Sequence, residues 1–314
     1  MLTLLTRTGD SAMNTSAMLD MTKTSSIIQD SARKVNTGRA MESYQDSKEY
    51  AVRILDLETQ LAGYEDYEQG ETTIKTRLDK MELVLRQLNE ISTDYRARLT
   101  RATSFGVEDN AFQGYCAIQL QEVQRLLNTQ DAEGRYLFAG ENTNTAPVDV
   151  SLVAPLSLNS PVSTAYYLGT STAPSGLIGD DQVITYGVTG DNDGFAQLIN
   201  ALVVGAANAP SNDPNSGQYQ MLSQMAMPMM ALASSELPDV LHAIGNTMKV
   251  VEQSAERQNT IMLYTKELLS KMTDADPIDS MYELHRSSMC LKYSMSAHQI
   301  ILESVDDLLT AMRR

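Results

Sequence analysis

Residues 74–88 read IKTRLDKMELVLRQL, and their apolar positions decide the fold class. Ile74, Leu78, Met81, Leu85 and Leu88 are spaced by four, three, four and three residues, the stride of a helix that lays one stripe along a partner. Lys, Arg, Asp and Glu occupy positions between them, as a solvated face requires. Upstream, Ile54, Leu57, Leu61 and Tyr64 keep a similar stride, although Gly63 and Gly70 weaken the join. Downstream the pattern returns through Leu237, Leu241, Ile244, Met248, Val251, Ala255, Gln258, Met262, Thr265, Leu269 and Met272. Asp274-Ala275-Asp276-Pro277 interrupts it, placing an acidic N-cap and a proline at the first position of a final helix. That helix carries Leu291, Met295, His298, Leu302, Val305, Leu309 and Met312. The pattern predicts long helices that share coiled-coil seams.

Between the two helical regions the character changes. Residues 134–216 hold most of the Gly and Pro, with short β-like runs at Val148–Val153, Thr164–Leu168 and Gln182–Val188. Thr189 to Gly194 reads as a turn, Phe195–Val204 as a short helix, and Asn208–Gly217 as a surface loop; Pro238 and Pro277 punctuate the helical return. The fold class expected is mainly α with a β-rich insert, the N- and C-terminal helices forming a coiled-coil bundle around an outward-facing domain. Five segments follow: an N-terminal assembly segment over 1–45, a helical domain over 46–133, the β-rich outer domain over 134–216, a helical return over 217–273 and a C-terminal assembly helix over 274–314. In the first segment Leu5, Ala12, Leu19 and Ile27 suit a helix, but Ser and Thr fill most positions between them. Such a segment buries too little apolar area to offset a backbone ordering cost of about 1–2 kcal/mol per residue. It is expected to be disordered in the monomer and to order when neighbouring subunits complete its seam.

Composition excludes several function classes. Across 314 residues, Lys and Arg total 24 against 40 Asp and Glu, a formal net charge of −16 that repels a nucleic-acid backbone. No run approaches the roughly 18 apolar residues of a membrane span, and the first 16 residues lack the ordered regions of a cleaved secretory signal. There is no Trp and there are only 4 Phe, so apolar burial has to come from aliphatic stripes and from the 18 Met. Cys116 and Cys290 are too few for a disulfide framework, and their mutual distance is left to the fold.

Candidate chemistry was weighed residue by residue. His242, His285 and His298 have no ligand spacing around them, and His298 falls on the seam of the last helix. Cys116 shares a helical face with Leu120, Val123 and Leu127, which predicts packing rather than a nucleophile. Met221, Met225, Met227, Met229 and Met230 read as adaptable filler rather than a soft-metal site. Gly187 to Gly194 lacks the distal glutamate of a calcium loop, and Asp306, Asp307, Arg313 and Arg314 read as solvated charges. No phosphate loop, nucleophile elbow or zinc-helix motif occurs. No enzyme activity and no cofactor or metal are expected.

Two short segments resemble the flagellin and hook-associated protein 3 superfamily. Lys34-Val35-Asn36-Thr37-Gly38-Arg39 is similar to a Ser/Thr-Gly-basic motif found about 35 residues from the start in that family, with Gly38 at its centre. Asn128 to Gly140, ending Gly134-Arg135-Tyr136-Leu137-Phe138-Ala139-Gly140, is the sharpest match and resembles the entry to the outer domain of hook-associated protein 3. Tyr167-Leu168-Gly169, the stretch Ile184 to Gly190 followed by Phe195 to Leu198, and Ser304 to Leu309 also resemble that protein. Glu42 to Ser47 stands where the family has an Asp-Asp-Pro turn. The resemblance implies an extracellular subunit of the bacterial flagellum at the hook–filament junction, exported unfolded by the type III route with a flagellar export chaperone. It further implies self-association in a ring, contact with an adjacent hook-associated protein and with flagellin, and no nucleic acid or membrane insertion. The assembly interface would comprise Leu5, Leu19, Ile27, Leu291, Met295, His298, Leu302, Val305, Leu309 and Met312. A filament flagellin, and a secreted coiled-coil tip or adhesin-type binding protein, are the alternatives.

Overall fold

The computed structural model describes residues 2–40, 50–104, 111–180, 182–211 and 213–312; side chains of residues 1–14, 104, 301 and 304–314 lie outside that description. The Glu42–Ser47 departure therefore falls outside the described residues, as do the side chains of Leu5, Val305, Leu309 and Met312. The helices are α1 (Leu2–Thr37), α2 (Ala51–Ser104), α3 (Phe112–Leu127), α4 (Asp193–Ala207), α5 (Gly217–Met221), α6 (Met227–Thr273) and α7 (Pro277–Met312). Two short strands, β1 (Ser175–Leu177) and β2 (Val183–Thr185), pair antiparallel with Gly176 opposite Ile184. The chain divides into two compact units, Gly63–Ile261 and the combined ends Met1–Ala62 with Met262–Arg314.

In the Gly63–Ile261 unit the stripe that starts at Ile74 continues without a break. Ile74, Leu78, Met81, Leu85, Leu88, Ser92, Tyr95, Leu99 and Ala102 are all buried, each three or four residues after the last. Two contacts fix α6 alongside α2 in antiparallel sense: Lys75 Nζ donates to Glu252 Oε1 at 2.7 Å, and the Ser92 and Ser234 hydroxyls lie 3.5 Å apart. Helix α2 runs straight through Gly63 and Gly70, because an interior glycine costs only about 1 kcal/mol and the stripe outweighs it. Pro238 likewise lies inside α6 rather than at a break, a correction to the punctuation expected there. The buried neighbours Ala233 and Leu237 hold the helix through it.

Helices α3 and α4 complete this core. Cys116, Val123 and Leu127 are buried on the inner face of α3, as the spacing predicts, with Leu120 packed against the same cluster. Tyr95 donates from its buried hydroxyl to the Ala201 carbonyl of α4 at 2.7 Å. The methionines pack rather than converge on a metal: Met225, Met229 and Met230 are core residues, with Met221 and Met227 half-buried against them. A π turn over Leu222–Ala226 precedes α6, and Met227 donates its N–H to the Leu222 carbonyl. Pro228, next in the chain, has no N–H to keep the ordinary ladder going, which accounts for the widened turn.

The middle zone holds less β-structure than its residues suggest. Val148–Val153 contributes one bridge, Val148 to Tyr167, and a 3₁₀ turn over Val150–Leu152; of Gln182–Val188 only Val183–Thr185 is strand. Loop backbone there is satisfied by side chains instead. Asn128 donates to the Val148 carbonyl at 2.8 Å and accepts from its N–H at 3.0 Å, while Asn200 brackets Ser163 in the same manner.

Candidate functional site

Two regions carry the residues that the sequence singles out. The first is the entry to the middle zone. After the C-cap Asn128, Gln130 bridges Tyr136, Leu137 donates to the Thr129 carbonyl at 3.0 Å, and the Arg135 carbonyl accepts from Asp131 at 2.9 Å. The Asp131 carboxylate accepts at 2.9 Å from the backbone N–H of both Glu133 and Arg135, at 3.1 Å from Arg135 Nε, and from the Arg77 guanidinium of α2. Arg77 and Asp131 are almost wholly buried. Burial alone would raise the Asp131 carboxyl, but these donors and the Arg77 charge outweigh it and hold the group below its ordinary value.

The rest of the motif serves the same knot. Phe138 meets Phe195 of α4 edge-on at 5.9 Å, and its carbonyl accepts from Gly190 N–H at 2.9 Å and from the Tyr167 hydroxyl at 3.2 Å. Gly140 has φ +69°, and a Cβ there would stand 2.2 Å from the Thr170 carbonyl oxygen, so no other residue fits. Gly134, Arg135, Tyr136, Phe138 and Gly140 thus tie helix, loop and α4 together. Sequence reasoning missed this pair: Arg77 read as one of the solvated charges between the stripe residues, and Asp131 had no role of its own within Asn128–Gly140.

The second region is the pair of terminal helices. Gly38, at φ +69°, ends α1 by donating to the Lys34 carbonyl at 2.8 Å. Its own carbonyl accepts from Ala275 at 3.0 Å, Ala40 donates to Thr273 at 2.8 Å, and Arg39 bridges Asp274, so the two turns clasp each other. The Asp276 carboxylate caps α7 by accepting from the Ile278 N–H at 2.8 Å, with Pro277 at the first position.

From that clasp α1 packs against α7. The covered face of α1 runs through Ala17, Met21, Thr24, Ile28, Ser31 and Val35, and that of α7 through Ser280, Leu284, Ser287, Leu291 and His298. Much of this seam is small or polar, and the buried Ser31 hydroxyl has no hydrogen-bond partner among the described residues. Of the residues expected at an assembly interface, Leu291 and His298 lie on this internal seam. Leu19, Ile27, Met295 and Leu302 are exposed.

The structure also shows a surface the sequence reading missed. Ile278, Tyr282, Met289, Tyr293 and Ile300 form a second stripe along α7, between 41% and 79% exposed. At about 100° per residue it lies roughly opposite the covered face. Its four- and seven-residue steps were available as a signal, obscured by the more regular Leu291–Met312 series. Among the described residues of this unit the buried hydrophobic side chains are Ile54, Leu57 and Met262 alone.

Among the described residues no cluster of three or more His, Cys, Asp or Glu could hold a metal ion, and no helix is long and apolar enough to cross a membrane. Cys116 is buried and Cys290 exposed, and they are not joined in a disulfide. The geometry defines a class: a mainly helical chain whose end helices clasp each other and whose central unit carries an insert of loops and two short strands. Within that class the chain has the fold of the flagellar hook-associated proteins. It superposes with a TM-score of 0.58 on a Vibrio parahaemolyticus chain described as a flagellar hook-associated protein, at 16% identity over 73% of this chain and 100% of that one. FlgL from Bacillus cereus matches with a TM-score of 0.53 at 17% identity over 70% of this chain and 99% of the other. Xanthomonas campestris FlgL gives 0.53 at 13% identity over 68% and 99%. No protein-family model and no curated protein matches the sequence.

Proposed function

We propose that the chain is a structural subunit of the bacterial flagellum that forms the junction between hook and filament. One observation carries the reading: among the described residues of the unit made from the two chain ends few apolar side chains are buried, yet α7 presents a long uncovered apolar stripe. Ordering the backbone of two 36-residue helices costs about 1–2 kcal/mol per residue, which a seam of Ala, Ser, Thr and a few larger side chains does not offset. Covering the five large, mostly exposed side chains of the α7 stripe would add apolar burial that this seam lacks. Neighbouring subunits are the natural source of that cover. The N-terminal segment would then be disordered in the free monomer, and α1 and α7 would order together on assembly.

The fold shared with FlgL supports a flagellar role, since the solved chains bearing that name superpose on this chain over nearly their whole length. In this reading the partners are further copies in a ring, an adjacent hook-associated protein on one side and flagellin on the other. The chain reaches the cell exterior with the help of an export chaperone. The work is mechanical and calls on no catalytic group.

Electron microscopy of a deletion strain, with an immunoblot for flagellin in the medium, tests the proposal. Bare hooks with abundant shed flagellin are expected. Loss of the filament subunit itself, without shedding, would make this chain the flagellin, and normal attached filaments would overturn both readings in favour of a secreted binding protein.

A further inference from the structure

A buried polar cluster lies where the β1–β2 hairpin meets α2 and α6, inside the Gly63–Ile261 unit. The hairpin backbone sits close on α2: a Cβ on Gly70 would stand 3.3 Å from the Leu177 carbonyl oxygen, and one on Gly176 would stand 2.6 Å from Ile74 Cδ1. On α6, Ser254 is fully buried and donates its hydroxyl hydrogen to the Ile178 carbonyl at 2.7 Å. One turn further on, Gln258 reaches Gly179 with its amide, and Arg257 donates to the Gln182 side chain at 3.1 Å. Glu71 of α2 completes the cluster, 3% exposed and within hydrogen-bonding reach of Ser254.

Glu71 is buried, and its Oε1 has no hydrogen-bond partner among the described residues. A serine hydroxyl has one hydrogen, and that of Ser254 is committed to Ile178. The Ser254 hydroxyl beside Glu71 favours the ionised form, but burial outweighs it. Two buried acceptors at the junction, Glu71 Oε1 and Gln258 Oε1, have no hydrogen-bond donor among the described residues. A buried carboxylate oxygen with no donor bears the full desolvation cost of its charge, which the neutral acid avoids. The surrounding charges are mixed: Glu68 on α2 disfavours ionisation and Arg257 on α6 favours it. Lys75 of α2 is paired with Glu252 of α6, and Asp180 in the hairpin turn accepts from the Tyr67 hydroxyl at 2.9 Å. Burial is the largest influence and raises the Glu71 carboxyl above its ordinary value.

We propose that Glu71 is a protonation-controlled lock on the β1–β2 hairpin: only the neutral acid is accommodated at the junction where the hairpin docks on α2 and α6, and ionisation releases the hairpin. Because the carboxyl binds its proton more tightly in the docked state, docking is strongest at low pH. It weakens as pH rises from the ordinary glutamate value, about 4.3, toward the raised one.

Hydrogen exchange of the full chain, corrected for the intrinsic pH dependence of exchange, reads the lock at residues 175–185. Between about pH 4.5 and pH 8, wild-type protection there should fall by up to about tenfold per pH unit within the window, while the α4 amides stay constant. Glu71→Gln, a permanently neutral donor, should hold the hairpin protected across the whole range. Ser254→Ala should lower protection at every pH by removing the Ile178 anchor. A pH-independent wild type, or a Glu71→Gln variant that loses protection in parallel with it, would overturn the proposal.

Discussion

Removing the Asp131 carboxylate should unfold the entry knot at a cost far above that of an ordinary surface ion pair. Asp131→Ala leaves the Arg77 guanidinium buried at 4% side-chain exposure, with its Nε already lacking a partner, and strips two backbone N–H groups of their acceptor. Breaking a buried pair on one side costs about 3–5 kcal/mol, because the remaining charge has no water to return to. Arg77→Met should fall in the same range. The double variant Arg77→Met with Asp131→Leu removes the stranded charge and should recover most of the loss. About 2 kcal/mol would remain for the N–H groups of Glu133 and Arg135. Asp131→Asn keeps an acceptor and should lie between. Guanidinium unfolding followed by tyrosine near-UV circular dichroism is the assay: the chain has no Trp, and Tyr95 and Tyr166 are fully buried in the Gly63–Ile261 unit. pH offers an independent check. The folded Asp131 carboxyl lies below its ordinary value, so its contribution is complete above that value and disappears as pH falls toward the folded one. Asp131→Asn should lack this acid-side loss. Single variants within about 1 kcal/mol of wild type, or a double variant as unstable as the sum of both singles, would refute the reasoning.

Three further outcomes follow from the geometry. Gly140→Ala should lose several kcal/mol or fail to fold, since its Cβ would meet the Thr170 backbone at 2.2 Å; Gly38→Ala, at the same φ but with open space, should cost only about 1–2 kcal/mol in thermal unfolding. Ellman's reagent should titrate Cys290 in the native chain and Cys116 only on denaturation, and equal native rates would contradict the burial of Cys116. Tyr293→Ser on the α7 stripe, and Leu302→Asp on the Leu291–His298 side of the same helix, should each abolish junction assembly in complementation while leaving the tyrosine near-UV signal of Tyr95 and Tyr166 intact; normal filaments from both variants would remove α7 from the proposed interface.

What was legible in the sequence is what repeats. The stripe from Ile74 to Leu88 has a period of its own, and each step lands on a buried residue. Asp276 and Pro277 announced the start of α7 by local chemistry alone. The entry knot has no period, and its bonds join residues far apart in sequence: Asp131 to Arg77, Asn128 to Val148, and Tyr167 to Phe138. Nothing near Asp131 distinguishes it from a solvated acid. The short strands failed for a related reason, since side-chain amides take over hydrogen bonds that a strand pattern assigns to neighbouring backbone. Glu71 was legible in principle. Counting back three residues from Ile74 lands on it, and an acid on a seam position is a conflict that only tertiary surroundings resolve.

The two units solve opposite problems with the same helices. Between Gly63 and Ile261, α2 and α6 have α3, α4 and the middle zone to cover their stripes, and the buried apolar residues are concentrated there. Beyond those positions α1 and α7 pack against each other and bring Ala17, Thr24, Ser31, Ser280 and Ser287 to their seam instead of large aliphatic groups. A helix pair with a weak inner seam and a strong outer stripe gains more from a neighbour than from its own partner. This asymmetry is what an assembly subunit requires. A strong inner seam would let the ends fold completely before they met another subunit, whereas a bare outer stripe makes their order conditional on that meeting. The stripe through Ile278, Tyr282, Met289, Tyr293 and Ile300, rather than the inner seam, is therefore where the energy of assembly should reside.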